Sequence, residues 1–400
     1  MTIAPHRIGA PQPLAQHIGQ MLASYQAALT GAAAAEHPDF PWDPALDVFD
    51  LRPPDPVYLA AEIAQRMSDT LAGLERWQAH PYFRPANKAP TLWQAGSSRL
   101  LDYSTPETPK NAPKVLVLPS LVNRAYVLDL LPGHSAMVRL SDAGLRPYLL
   151  DWGAPGIDEA GFGIDDYVER ALGVMAHLGP THLLGYCMGG TLAAGIAARH
   201  PALVRSLATL GAPWDFHADG GSRAQLRLIF GQNNGFTADT MLATLARDYG
   251  RIPAAVFQSL FALLNPLAFA RKFRRFAAMP ADEPAALLFV ALEDWLADGI
   301  AMSAPAARSL LLDWHLHSQP AKGEWLLGGQ PVLATDIRCP TLVIAGQHDN
   351  IAPAPSALAL AANLPRAQRR TAPTGHVGLI TSAQSAPKIW DDIALFIRDT

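Results

Sequence analysis

Cys187 stands in Gly185-Tyr186-Cys187-Met188-Gly189-Gly190, between the short apolar run His182 to Tyr186 and the stretch TLAAGIAAR. A cysteine taken alone is most often an inert, buried residue. Glycines on both sides change that expectation. A nucleophile on a sharp strand-to-helix turn has a strained backbone, and the helix behind it must approach the sheet closely, so its neighbours must be small. Such a turn aims the sulfur out of the sheet, and helix-terminal amides favour the thiolate, the form that attacks a carbonyl. The Met188 N–H is the expected donor to the resulting oxyanion. A second donor is expected from the loop after VLVLP, around Ser120 to Asn123, with Leu121 and Val122 as the candidates.

A thiol of this kind needs a base, and the base needs an acid to orient it. Asp349 follows the strand-like TLVIAGQH, and His376 lies twenty-seven positions later in TGHVGL, after the short run AQRRTA. Either residue alone reads as an ordinary loop residue. Nucleophile, acid and His in that chain order, each at the end of a strand, is the arrangement of an α/β-hydrolase.

The elements needed to hold this trio are visible as short apolar runs alternating with helical stretches. Val115 to Leu118, Arg146 to Leu150, His182 to Tyr186, Val204 to Leu210 and Thr341 to Ala345 are too short for confident helices, and most are rich in residues that suit buried strands. Ser135 to Ala143, Asp165 to Leu178 and Thr191 to Arg199 are long enough for crossover helices. The alternation predicts an α/β fold with a largely parallel sheet covered on both faces. Two helices, Leu14 to Ala28 and Val57 to Trp77, precede it, separated by the Pro/Asp-rich HPDFPWDPALDVFDLRPPDP. Between Trp214 and Asp336 the rhythm stops and several apolar helices follow, which predicts a helical cap inserted between two strands. The expected organisation is an N-terminal helical extension at 1–90, core at 91–213, cap at 214–335 and the remaining core at 336–400.

Composition excludes other classes. With 400 residues, 50% hydrophobic and 16% charged, the chain is neither a peptide-sized scaffold nor mainly disordered. Thirty-one basic against thirty-five acidic residues give a net charge of −4, which offers no global attraction for nucleic acid. Two cysteines do not specify a disulfide framework. The first twenty residues lack a signal-like basic start and apolar core, and no stretch reaches ~18 uncharged apolar residues, so no transmembrane span and a cytoplasmic location are expected. No His/Cys/Asp group has metal-ligand spacing; His315 and His317, two apart, would face different ways on a helix. Arg271, Lys272, Arg274 and Arg275 suit a solvated helix face, with coenzyme A phosphates as the sharper reading.

The motifs together resemble the poly(3-hydroxyalkanoate) synthase family, α/β-hydrolase-fold acyltransferases with a Cys-Asp-His triad, over about Leu92 to Trp390. LVLPSLVNRAYVLDLLPGHSAMVRL at 116–140, followed by GLRPYLLDWGAPG, is similar to the family's segment after an early central strand. GYCMGG resembles its nucleophile box, GQHDNIAP its acid-bearing loop and GHVGLI its base. The resemblance implies that Cys187 takes the acyl group of a 3-hydroxyacyl-coenzyme A as a thioester and passes it to a hydroxyl of another acyl unit. His376 would act as base and Asp349 would orient it. No tightly bound cofactor is implied; coenzyme A enters as part of the substrate. The family's Trp-Asn-x-Asp-x-Thr-Asn cap sequence corresponds here to LEDWLADG at 292–299, which makes Asp294, Trp295 and Asp298 cap or substrate candidates. The implied partners are the hydroxyacyl thioester or ester, a second copy of the chain or an accessory synthase subunit, and the polyester granule. Hydrolysis of short hydroxyacyl esters, thioesters or oligomers is the competing activity, and a noncatalytic granule-binding role the alternative outside enzymes.

Overall fold

The computed structural model describes residues 11–35, 55–218, 231 and 236–400. Most of the Pro/Asp-rich separator between the first two helices lies outside them. Eight strands, numbered in chain order, form the central sheet: β1 Thr91–Ala95, β2 Ser98–Asp102, β3 Lys114–Leu118, β4 Arg146–Asp151, β5 Thr181–Tyr186, β6 Val204–Leu210, β7 Thr341–Gly346 and β8 Ala367–Ala372. Their spatial order is β1-β2-β4-β3-β5-β6-β7-β8. The β1–β2 and β2–β4 pairs are antiparallel, and all others are parallel. Every residue of β5 and β7 is buried, as a strand covered on both faces requires, and this is why each reads as a continuous apolar run. The edge strand β8 is exposed along its middle, where Arg369 and Arg370 stand. Charge on an open edge discourages pairing with other chains.

The helices include α1 Leu14–Ala35, α2 Pro56–Gln78, α3 Ala136–Asp142, α4 Ile164–Leu178, α5 Met188–Arg199, α6 Phe236–Tyr249, α7 Ala254–Leu264, α8 Ala268–Ala277, α9 Pro284–Ala297, α10 Ala304–Arg308 and, after three shorter turns of helix at Gln319–Lys322, Ala354–Leu358 and Gly378–Thr381, α11 Ala386–Arg398. Asp55 caps α2 by accepting from the Val57 and Tyr58 N–H groups, and Pro56 suits the first helical position. The inserted helical region between β6 and β7 is present. Asn265 and Pro266 interrupt it between α7 and α8, since proline cannot continue a helix. Among the described residues no single helix is long and apolar enough to cross a membrane.

Two compact units are distinguished: Met1–Arg84 with Gln258–Ala297, and Pro85–Phe257 with Asp298–Thr400. The boundary falls within α7. In the first unit the preface helices share a core with the middle of the insertion, segments that the sequence reading set apart at 1–90 and 214–335. The physical reason is the fit of α2 to α8. A Cβ at Gly73 would lie 2.0 Å from the Phe273 carbonyl oxygen, so only glycine allows this approach. Leu74 and Trp77 join Phe269, Phe273, Phe276, Ala286 and Val290 in one buried cluster. Arg76 Nη1 donates to the Phe276 and Met279 carbonyls at 2.7 and 2.5 Å, satisfying acceptors at the end of α8. Lys272 pairs with the buried Glu293 carboxylate at 2.7 Å.

The second unit holds the sheet. There the insertion leaves and returns through two isolated bridges, Ile252 to Met302 and Asn123 to Gly299.

Candidate active site

The polypeptide turns sharply between β5 and α5 with Cys187 at the corner, at φ 55° and ψ −131°. A side-chain-bearing residue there costs on the order of 1–3 kcal/mol of backbone strain, which the surroundings must hold in place. They do so by close contact. A Cβ on Gly185 would lie 2.3 Å from Gly190 Cα, one on Gly189 2.1 Å from the Leu118 carbonyl oxygen, and one on Gly190 2.4 Å from Ala212 Cβ. The three glycines therefore let α5 lie directly on β3 and β6. The Cys187 N–H donates to the Leu210 carbonyl at 2.9 Å, tying the corner to the end of the adjacent strand.

The loops after β7 and β8 bring the other two residues to the same edge of the sheet. The His376 imidazole meets Asp349 Oδ2 through Nδ1 at 2.7 Å. Asp349 Oδ1 accepts from the Ile351 and Ala352 N–H groups at 2.8 and 2.7 Å, so both carboxylate oxygens are engaged and the side chain is fixed. The loops are stitched together by His348 N–H donating to the Thr374 carbonyl at 3.1 Å. With Nδ1 committed to the carboxylate, Nε2 is the ring nitrogen left for the Cys187 sulfur.

Electrostatics follow from this packing. Burial alone would raise the Cys187 thiol, but the charge and hydrogen bond of His376, with the Met188 N–H, outweigh it and hold the thiol below its ordinary value. Burial works against a charged imidazole, yet Asp349 and the Cys187 thiolate prevail and push His376 up to about 10. The arrangement favours a thiolate–imidazolium pair, the reactive state of a cysteine nucleophile. Cys187 is partly exposed, whereas Asp349 and His376 are buried.

Met188 opens α5, where N–H groups lack partners within the helix. The two loop candidates differ. The Val122 N–H donates to Ser120 Oγ at 3.2 Å, whereas the Leu121 N–H has no intramolecular partner among the described residues. Of the cap candidates, Asp294 and Trp295 lie on α9 in the first unit, with Trp295 buried. Asp298 lies in the second unit, where its carboxylate accepts from Arg124 Nε at 3.2 Å. Of the four basic residues on α8, Lys272 is bound to Glu293 and Arg271 to Asn265.

Tyr186, which the sequence marks only as a member of the GYCMGG box, packs against the base. Its ring centroid lies 5.1 Å from that of His376, and its hydroxyl donates to the His376 carbonyl at 3.4 Å. Burial, with Cys187 and Asp349 adding to it, raises this phenol well above its ordinary value and keeps it neutral beside the pair. Among the described residues no group of three or more His, Cys, Asp or Glu side chains is placed to hold a metal ion.

An eight-stranded sheet of this order with a sharp, glycine-flanked strand-to-helix corner after its fifth strand defines the α/β-hydrolase class. The family described as alpha/beta hydrolase fold matches residues 115–383, and the chain belongs to it. Within that class it is distantly related to poly(3-hydroxyalkanoate) polymerase subunits. The PhaC subunit of Haloferax mediterranei is 29% identical over 314 residues, 76% of this chain and 62% of that protein. That of Haloarcula marismortui is 29% identical over 299 residues, 72% of this chain and 61% of its own length. The PhaC subunit of Allochromatium vinosum is 27% identical over 312 residues, 75% of this chain and 85% of that protein. The chain thus spans about three fifths of the length of the two haloarchaeal relatives.

Proposed function

We propose that the protein is a poly(3-hydroxyalkanoate) synthase-like acyltransferase that uses 3-hydroxyacyl-coenzyme A. The observation that carries this reading is the buried Asp349–His376 pair at 2.7 Å, held at the same edge of the sheet as Cys187 on its strained strand-to-helix corner. The distant relationship to polymerase subunits supports the substrate class.

In the proposed cycle, the Cys187 thiolate attacks the thioester carbonyl carbon, and the oxygen becomes an oxyanion held by the Met188 and Leu121 N–H groups. The carbon–sulfur bond to coenzyme A then breaks. The departing thiolate takes the proton from His376 Nε2, leaving acyl-Cys187 and free coenzyme A. Next, Nε2 accepts the proton of a hydroxyl on a second hydroxyacyl unit as that oxygen attacks acyl-Cys187. An ester bond forms and the Cys187 thiolate is released beside a protonated His376. Asp349 holds the imidazole with Nε2 toward the sulfur and stabilises its positive form. The reading places the protein in the cytoplasm at polyester granules, working with a second copy or an accessory subunit.

The test supplies purified protein with 3-hydroxybutyryl-coenzyme A and follows free coenzyme A together with the acyl product. Ester-linked oligomer or insoluble polymer in step with coenzyme A release is the expected result. Stoichiometric free hydroxyacid would make the protein a hydrolase, and release of neither product by a folded protein, alone and with an accessory synthase subunit added, would overturn the catalytic reading in favour of a binding role.

A further inference from the structure

The loop that supplies Leu121 is held at both ends by groups outside it. At its start, the Pro119 carbonyl accepts from the buried indole of Trp152 at 3.0 Å. Inside it, Ser120 Oγ takes the Val122 N–H and closes a tight side-chain turn around Leu121. At its end, Asn123 forms an isolated antiparallel bridge with Gly299, and Arg124 Nε donates to Asp298 Oδ1 at 3.2 Å. Asp298 is the residue at which the inserted chain re-enters the second unit. Two consecutive loop residues thus engage two consecutive residues of the returning chain, one through backbone and one through charge.

We infer that Arg124 and Asp298 are positioning residues that fix the loop so that the Leu121 N–H, not that of Val122, completes the oxyanion hole. The inference rests on the acyl-transfer reading of Cys187 and gives Asp298 a task other than substrate contact. An oxyanion donor acts only when preorganised at 2.7–3.1 Å from the developing charge. Loss of an entire donor costs about 100-fold or more, so a donor left in place but loosened costs less. An ion pair this exposed contributes little to global stability, which separates its positioning effect from a folding effect.

The experiment uses the full chain and two probes of Cys187. With p-nitrophenyl acetate the sulfur attacks the acetyl carbon and p-nitrophenolate leaves, a step that passes through an oxyanion. With iodoacetamide the sulfur displaces iodide at a saturated carbon, which needs the thiolate but no oxyanion hole. Asp298→Asn and Arg124→Gln are each expected to slow the p-nitrophenolate burst about tenfold. Iodoacetamide rate, its pH profile and melting temperature should stay unchanged. The charge-exchanged double variant, Arg124→Asp with Asp298→Arg, is expected to recover the burst to within about threefold of wild type.

Unchanged bursts in both single variants would overturn the inference, as would parallel losses with both probes. A deficit confined to hydroxyacyl-coenzyme A, absent with p-nitrophenyl acetate, would return Asp298 to substrate contact and also overturn it. Failure of the proposed function shows differently: wild-type protein would form no oligomer from 3-hydroxybutyryl-coenzyme A while still giving a burst whose dependence on the pair is read as above.

Discussion

At the scale of single residues, the proposed chemistry turns on how Cys187 and His376 share a proton. Asp349 first and the Cys187 thiolate second raise the imidazole to about 10 against burial, while His376 and the Met188 N–H lower the thiol, so each charged form helps to stabilise the other. The thiolate is therefore populated below the ordinary thiol value of roughly 8.5 and is lost as pH falls through its lowered value. His376 stays protonated until pH rises through about 10, so the ion pair occupies the window between the two. His376→Ala removes the counter-charge and leaves burial opposed only by the Met188 N–H. The midpoint of iodoacetamide alkylation against pH is expected to rise in this variant. An unchanged midpoint would mean that His376 does not set the thiol. The proposed trio was legible in sequence because each member follows a strand-like run in a recognisable chain order and glycines flank Cys187. Tyr186 was not, since its role depends on a ring 190 positions away.

At the scale of elements, the corner works because β5, β6 and α5 approach more closely than side chains permit. Gly189 and Gly190 are weak helix formers, which is why the sequence reading began the helix at Thr191. The structure begins it at Met188, because contact with Leu118 and Ala212 decides where the helix lies. Gly189→Ala would place a methyl against the Leu118 and Pro119 carbonyls, at 2.1 and 2.5 Å in the unrelaxed backbone. It is expected to destabilise the fold by about 1–3 kcal/mol, read from the urea midpoint, and to slow acylation by shifting Pro119 at the head of the oxyanion loop. Wild-type stability and burst rate together would refute the close-packing account. The buried strands were legible as continuous apolar runs, but β1 and β2 were not singled out. They are five residues each, and Thr91, Leu92, Gln94 and Arg99 are exposed, so the period that marks a strand is blurred.

At the scale of the whole molecule, sequence order conveyed the sheet and the insertion but not which helices would share a core. The α2–α8 contact joins segments some 200 residues apart through Gly73 and a row of phenylalanines, and in the sequence Gly73 is only a poor helix residue. Asp298 stood out only as a cap or substrate candidate, and its pairing with Arg124, 174 positions away and without a local motif, was equally hidden. What the chain as a whole is proposed to do passes through one covalent species, acyl-Cys187. The most direct measurement is intact and peptide mass spectrometry after millisecond mixing with 3-hydroxybutyryl-coenzyme A and an acid quench. The account predicts a hydroxybutyryl adduct on the Cys187 peptide, formed as fast as coenzyme A is released and absent from a folded Cys187→Ala variant. Turnover by that variant at a substantial fraction of the wild-type rate, or coenzyme A release with no adduct at any mixing time, would contradict it.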